Sequence, residues 1–302
     1  MMTGSAVTTP LDLDLLRELG DLKRIRSAQA SGSIAERLFL QAWAALQNGL
    51  PATEVCFAIV RAALSATRLG DIDAGLLTRL GLSGWEAAEI LRRALDEAGS
   101  DLDAGLRAAL VSAVSLPDTT SPTLSFALRL TRQPRAGVTC PGKPRVMLEP
   151  PENHAEHCLV VAVYGVVLAA RYGAKPETVF LASLAHHLHN AEIPDSGFAG
   201  EVLLGGHLDS LFDMATRNAL AELPPVLAAH VEAARKILPD AETPEGQAFH
   251  AADTLDRVLE IEQHLRAGRT TMHQVLHEMR LVHEGAVKSF QDALLTEAGL
   301  QS

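Results

Sequence analysis

Residues 155–173, AEHCLVVAVYGVVLAARYG, decide the fold. Within them the 13 residues from Cys158 to Ala170 carry no charge, too few for the ~20 that span a bilayer. A run apolar on every side reads as a helix buried all round at the centre of a helical protein. Glu156 and His157 open that helix, and burying a carboxylate or imidazole is costly unless it is paired or binds a metal. The same pattern returns at 181–195, LASLAHHLHNAEIPD, where an apolar stretch runs straight into His186, His187, His189 and Asn190. A third polar interruption, Asp253, lies in HAADTLDRVLE at 250–260.

Working outward, amphipathic periodicity predicts helices over 155–172, 176–190, 211–221, 225–238, 245–267 and 271–298. It predicts a second set over 12–26, 34–48, 52–68, 74–80, 84–97 and 102–115, punctuated by Gly, Ser and Asp at cap positions. Aromatic residues make up only 4% and Ala and Leu dominate, which favours helix over strand. The expected fold is therefore all-α, a multi-helix bundle. Between the two sets, residues 116–153 hold seven prolines, which remove backbone donors and disfavour helix in the residue before them. One short helix is expected near 124–131, and the boundary between an N-terminal helical region, 1–135, and a C-terminal domain, 136–302, is placed in this stretch.

Charge sorts along the same line. Residues 1–150 carry 16 acidic and 16 basic side chains, residues 151–302 carry 21 and 10, so the second half accounts for the whole formal charge of −11. An acidic half is a poor partner for nucleic acid, whose binding rests on neutralising phosphates, and it suits a domain that collects cations. All 12 histidines fall between His154 and His283. Three scattered cysteines form neither a disulfide framework nor a Cys-rich zinc site, which points to a reducing, cytoplasmic setting. The first residues lack the basic and apolar regions of a signal peptide, and no membrane role is expected.

Taken in order, the three interruptions resemble the HD superfamily of metal-dependent phosphohydrolases. That family has a His on a first core helix, a His-Asp pair ending a second, and an Asp on a later one. AEHCLVVAVYGVVLAARYG is similar to the first element with His157 as ligand; LASLAHHLHNAEIPD to the second with His186; HAADTLDRVLE to the third with Asp253. The resemblance covers about 110 residues, from Glu156 to near His264, and makes 136–302 an HD-like domain; residues 1–135 resemble nothing comparable. It departs from the family at His187, which stands where the paired Asp belongs, and at Asn190, which stands where one branch has an assisting acid. It implies a divalent metal held by His157, His186, His187 and Asp253, a nitrogen-rich set that suits Zn, Fe, Mn, Co or Ni better than Mg. His207 and His230 could add ligands, as in two-metal branches, although a neutral imidazole has one lone pair and cannot bridge metals as Asp does. Asn190 and His189 are the candidates for lining the reaction cleft, though Asn cannot act as a general base near neutral pH.

The implied activity is hydrolysis of a small phosphorylated, nucleotide-like molecule, with the metal activating water and polarising the phosphoryl group. The alternatives are a divergent HD domain that has become a regulatory or interaction module, and an iron-dependent oxygenase on the same scaffold. Several features have plainer readings. His154 follows Pro150 and Pro151 and is expected on a frayed loop; His273 and His277 read as an exposed helix flank; Asp195, Ser196 and Gly197 read as a turn. Ser83 before Trp85 and Glu86 reads as a helix cap rather than a DNA-binding turn. A homodimer is the expected assembly, because an Ala-rich helical half often packs against a second copy.

Overall fold

A computed structural model of the chain describes residues 12–116 and 123–269, with 271, 273, 277, 292, 295 and 296 beyond them. The helices are α1 (Leu13–Gly20), α2 (Ile34–Gln47), α3 (Ala52–Leu69), α4 (Ala74–Arg79), α5 (Gly84–Ala98), α6 (Ala104–Ser112) and α7 (Ser125–Arg132). They continue with α8 (His154–Tyr172), α9 (Pro176–Leu184), α10 (Gly197–Leu204), α11 (Leu208–Leu220), α12 (Pro225–Arg235) and α13 (Pro244–Ala267). Among the described residues there is no strand; isolated bridges join Arg26 to Ser33, Pro134 to Asn153 and Val138 to Val146. The protein is an all-α multi-helix bundle. The helix expected over 271–298 falls mostly outside the described residues.

Local chemistry sets the helix ends. Side chains of Asp12, Ser33, Asp73 and Asp103 accept from the first-turn amides of α1, α2, α4 and α6, each contributing about 1 kcal/mol. Ser83 and Glu86 form a reciprocal capping box at α5, so that feature is a helix start, as its sequence suggests. Asn153 and Glu156 do the same at α8. This box corrects the frayed loop expected around His154: the residue opens α8, and it is fully buried. At its other end α8 stops on Gly173, whose left-handed φ of 69° is the conformation a C-cap glycine supplies.

The chain divides into a compact unit that extends to Leu259 and another that starts at Glu260, within α13. The division falls well beyond the expected boundary at 135/136, because one apolar core draws on residues from both sides of it. Trp43 of α2 meets Phe126 of α7 edge-on at 5.0 Å and Phe39 at 6.3 Å. The buried Tyr164 hydroxyl of α8 donates to the Leu16 carbonyl of α1. α8 is the one described helix long and apolar enough to cross a membrane, yet 78% of that window is buried in protein, so it is the core helix its sequence predicts. In the second unit, His264 Nε2 lies 3.1 Å from Glu260 Oε1 one turn away, and His273 and His277 are exposed with their rings 4.7 Å apart.

α8 and α9 approach closely at Gly165, where an added Cβ would stand 2.5 Å from Val179 Cγ1. Gly165→Val is expected to destabilise the protein by about 1–3 kcal/mol through overpacking. A urea melt with an unchanged midpoint would show that the two helices separate without cost.

α9 itself ends at Leu184, six residues short of the helix expected to reach Asn190. Tighter i→i+3 bonds take over: Ala185 to Ala182, Leu188 to Ala185, Asn190 to His187 and Glu192 to His189. His186 and His187 thus sit in a turn, followed by a 3-10 segment at Leu188–Ala191. An α-helix would separate adjacent side chains by about 100°; the turn instead leaves the two imidazole centroids 4.2 Å apart.

Candidate metal centre

His157 is fixed by the capped first turn of α8 and is fully buried. Its Nδ1–H donates to Asp256 Oδ2 at 2.7 Å. His186 donates from Nδ1 to the Ser183 carbonyl at 2.5 Å, and because a carbonyl only accepts, the proton is placed on Nδ1. Each ring is therefore anchored through Nδ1 and turns Nε2 inward. The two Nε2 atoms are 3.1 Å apart, and Asp253 Oδ1 lies 3.3 Å from that of His157 and 3.9 Å from that of His186. Three electron-pair donors converge on one point. Ligands about 2.0–2.1 Å from a tetrahedral ion stand roughly 3.3–3.4 Å from each other, so the spacing fits a divalent metal. Held N–H groups on the far side of ligating imidazoles are what fixes their orientation toward a metal.

Electrostatics agree with that placement. Burial and the charges around His186 push its pKa well below the ordinary histidine value, so the ring is neutral and keeps its Nε2 lone pair. For His157, burial and the Arg135 charge oppose protonation, yet hydrogen bonds to Asp253 and Asp256 outweigh them and raise its pKa. Burial alone would raise the pKa of Asp253, but His157 and its neighbours hold the carboxyl well below the usual range. A proton on His157 Nε2 is thus one way to reconcile the three donors, and a metal ion is the other. Neighbouring Cys158 is no rival ligand: burial pushes its thiol up to about 12.

His187 belongs to a different set of bonds. A nitrogen of its ring lies within 4.8 Å of ligand atoms of His157 and His186. Arg135 Nη1, however, is 2.8 Å from its Nε2, and its Nδ1 is 2.8 Å from Asn190 Oδ1. Arginine has only donors, so Nε2 accepts from it and Nδ1–H donates to Asn190. Asn190 passes the chain on, giving an Nδ2–H to the Ile193 carbonyl at 3.0 Å. In this arrangement His187 has no lone pair left for a metal, and Asn190 serves to orient it.

The other candidates lie elsewhere. His189 is half-buried with its ring stacked on Phe212 at 4.0 Å, and burial lowers its pKa to about 3. His207 and His230 are exposed, on the turn before α11 and on α12, and no contact joins them to the cluster. Asp195 is more than a turn residue. Its carboxylate accepts from the Ala136 and Gly197 amides at 3.0 and 2.9 Å and lies 3.5 Å from His154 Nε2.

Beneath the three donors runs a buried charge network of which sequence reasoning gave no sign. Asp256 Oδ1 and Glu152 Oε2 each lie 2.6 Å from the Lys23 ammonium, and all three side chains are at most 7% exposed. Glu152 Oε1 is 3.6 Å from Arg135 Nε, and Arg135 leads back to His187. No family model, curated protein or solved structure matches the chain. Among the described residues, buried His and carboxylate side chains form a group able to hold a metal ion.

Proposed function

We propose that this protein is a divalent-metal-dependent hydrolase of the HD type, acting on a small phosphorylated, nucleotide-like molecule. The observation that carries the reading is the convergence of His157 Nε2, His186 Nε2 and Asp253 Oδ1, two of them on rings already anchored through Nδ1. Two nitrogens and one carboxylate suit Zn, Fe, Mn, Co or Ni, and three protein ligands leave a coordination position for water and substrate. When bound, such an ion supplies a water of lowered pKa and polarises a phosphoryl oxygen. His157, His186 and Asp253 hold it; Asp256 and the Ser183 carbonyl keep the rings in register. Arg257, 63% exposed and 3.7 Å from Asp253 Oδ2, is the cation placed to meet a phosphate arriving from solvent.

A regulatory or interaction module on the same scaffold is the second reading, and one observation favours it. The signature position His187 is committed on both ring nitrogens to Arg135 and Asn190, which is a structural use of that position. The two readings part on one experiment. Metal content of the purified full-length chain is measured, followed by turnover of nucleotides and generic phosphate esters with each divalent ion. About one equivalent of metal with metal-dependent phosphate release is expected. Metal without turnover of any ester would leave the module; no metal at all would remove both the ion and the hydrolase.

A further inference from the structure

We propose that the Lys23 ammonium occupies the place of a second divalent cation, making the centre a one-metal site whose second positive charge comes from the N-terminal segment. Glu152 and Asp256 bring two buried carboxylates together beside the buried His157, with ligand-type atoms of all three within 4.8 Å of one another. Because His157 Nδ1–H donates to Asp256, the two carboxylates are the ligands this place offers a cation. Lys23 Nζ sits in that group, 2.6 Å from a carboxylate oxygen on either side, with its side chain 2% exposed. Both carboxylates use their two oxygens as bridges. Asp256 spans Lys23 and His157, and Glu152 spans Lys23 and Arg135. The ammonium is thus linked to the metal position through Asp256 and the His157 ring, where a two-metal site would carry a second ion. A fixed side-chain cation needs no supply and cannot be chelated away. It also ties the orientation of His157 to residue 23, far from it in the chain, through Asp256.

The idea requires that vacating the ammonium open a metal site. Wild-type full-length protein, titrated with Zn²⁺ or Mn²⁺ alone and counted after equilibrium dialysis, should bind one equivalent. Lys23→Ala, which empties the space between the carboxylates, should bind two. Lys23→Met, which fills that space with an apolar chain, should bind one. Added metal should raise the Tm of Lys23→Ala by about 5 °C more than it raises that of Lys23→Met. In the double variant Lys23→Ala with His186→Ala, the extra equivalent should persist while the first is lost. The first equivalent in wild type therefore tests the His157, His186 and Asp253 site, and the extra one tests this inference, so each can fail alone. Two equivalents in wild type, no equivalent gained over wild type in Lys23→Ala, a gain in Lys23→Met, or a Lys23→Ala chain that stays unfolded at saturating metal would each overturn it.

Discussion

His186→Ala is expected to bind Zn²⁺ or Mn²⁺ more than about 100-fold more weakly than wild type, because losing a direct ligand exceeds the 10- to 100-fold cost of losing an outer partner. His187→Ala should stay within about tenfold of wild type. The contrast between neighbours follows from where their lone pairs go. His186 keeps Nε2 free by donating from Nδ1 to the Ser183 carbonyl, whereas the Nε2 of His187 already accepts from Arg135. Calorimetric titration of both variants, with circular dichroism to confirm that each is folded, reads the difference directly. Equal losses in the two would mean that Arg135 yields His187 to the metal and that the ligand set has four members. An undiminished His186→Ala would place the ion elsewhere.

His157 and His186 were legible in the sequence because each interrupts an apolar helix; Asp253 lies on a helix face that reads as solvated, and only the resemblance singled it out. The structure brings His157, His186 and Asp253 within 3.9 Å of one another, whereas the resemblance implied a set that also held His187. The parts that escaped notice are those whose meaning depends on partners distant in the chain. Asp256 stands three residues after Asp253 on the same helix, and nothing in that spacing says which of the two meets the Nε2 of His157 and which its Nδ1. Lys23 reads as an ordinary charge on an amphipathic N-terminal helix. Glu152 and Arg135 lie in a proline-rich stretch that reads as linker, where charges are usually solvated. Their roles arise because 129 residues separate Lys23 from Glu152 in the chain and 2.6 Å separates their charged atoms in the fold. His187 shows a related limit. The resemblance marks His187 as a departure from a His-Asp pair, but its engagement in the fold depends on an arginine 52 residues earlier. Even so, the helical class was recoverable throughout, because 3.6-residue periodicity is a local signal and ion pairing is not.

Acidification below neutral pH should destabilise the metal-free protein. Burial lowers the pKa of four histidines: His154 to about 4, His189 to about 3, and His186 and His187 well below the ordinary value. For each, the folded pKa lies below the unfolded one, so under about pH 6.5 the unfolded chain binds more protons and stability falls with pH. His157 does not offset this. Its pKa is raised, so its favourable contribution is complete below about pH 6.5 and fades only as pH rises through the folded value. Asp195 and Asp253 are held low by their partners against burial; their contribution is lost only below about pH 4. Between pH 7 and 5 the four histidines therefore lower stability together, while burial raises the pKa of Glu36 and Glu156, whose proton uptake in the folded state opposes part of that loss. Urea unfolding in the presence of a chelator should show a midpoint that falls between pH 7 and pH 5. A midpoint that holds steady over that range would mean the imidazoles are protonated in the folded state. In that case the neutral, inward-facing Nε2 of His186, on which the metal site depends, would not exist.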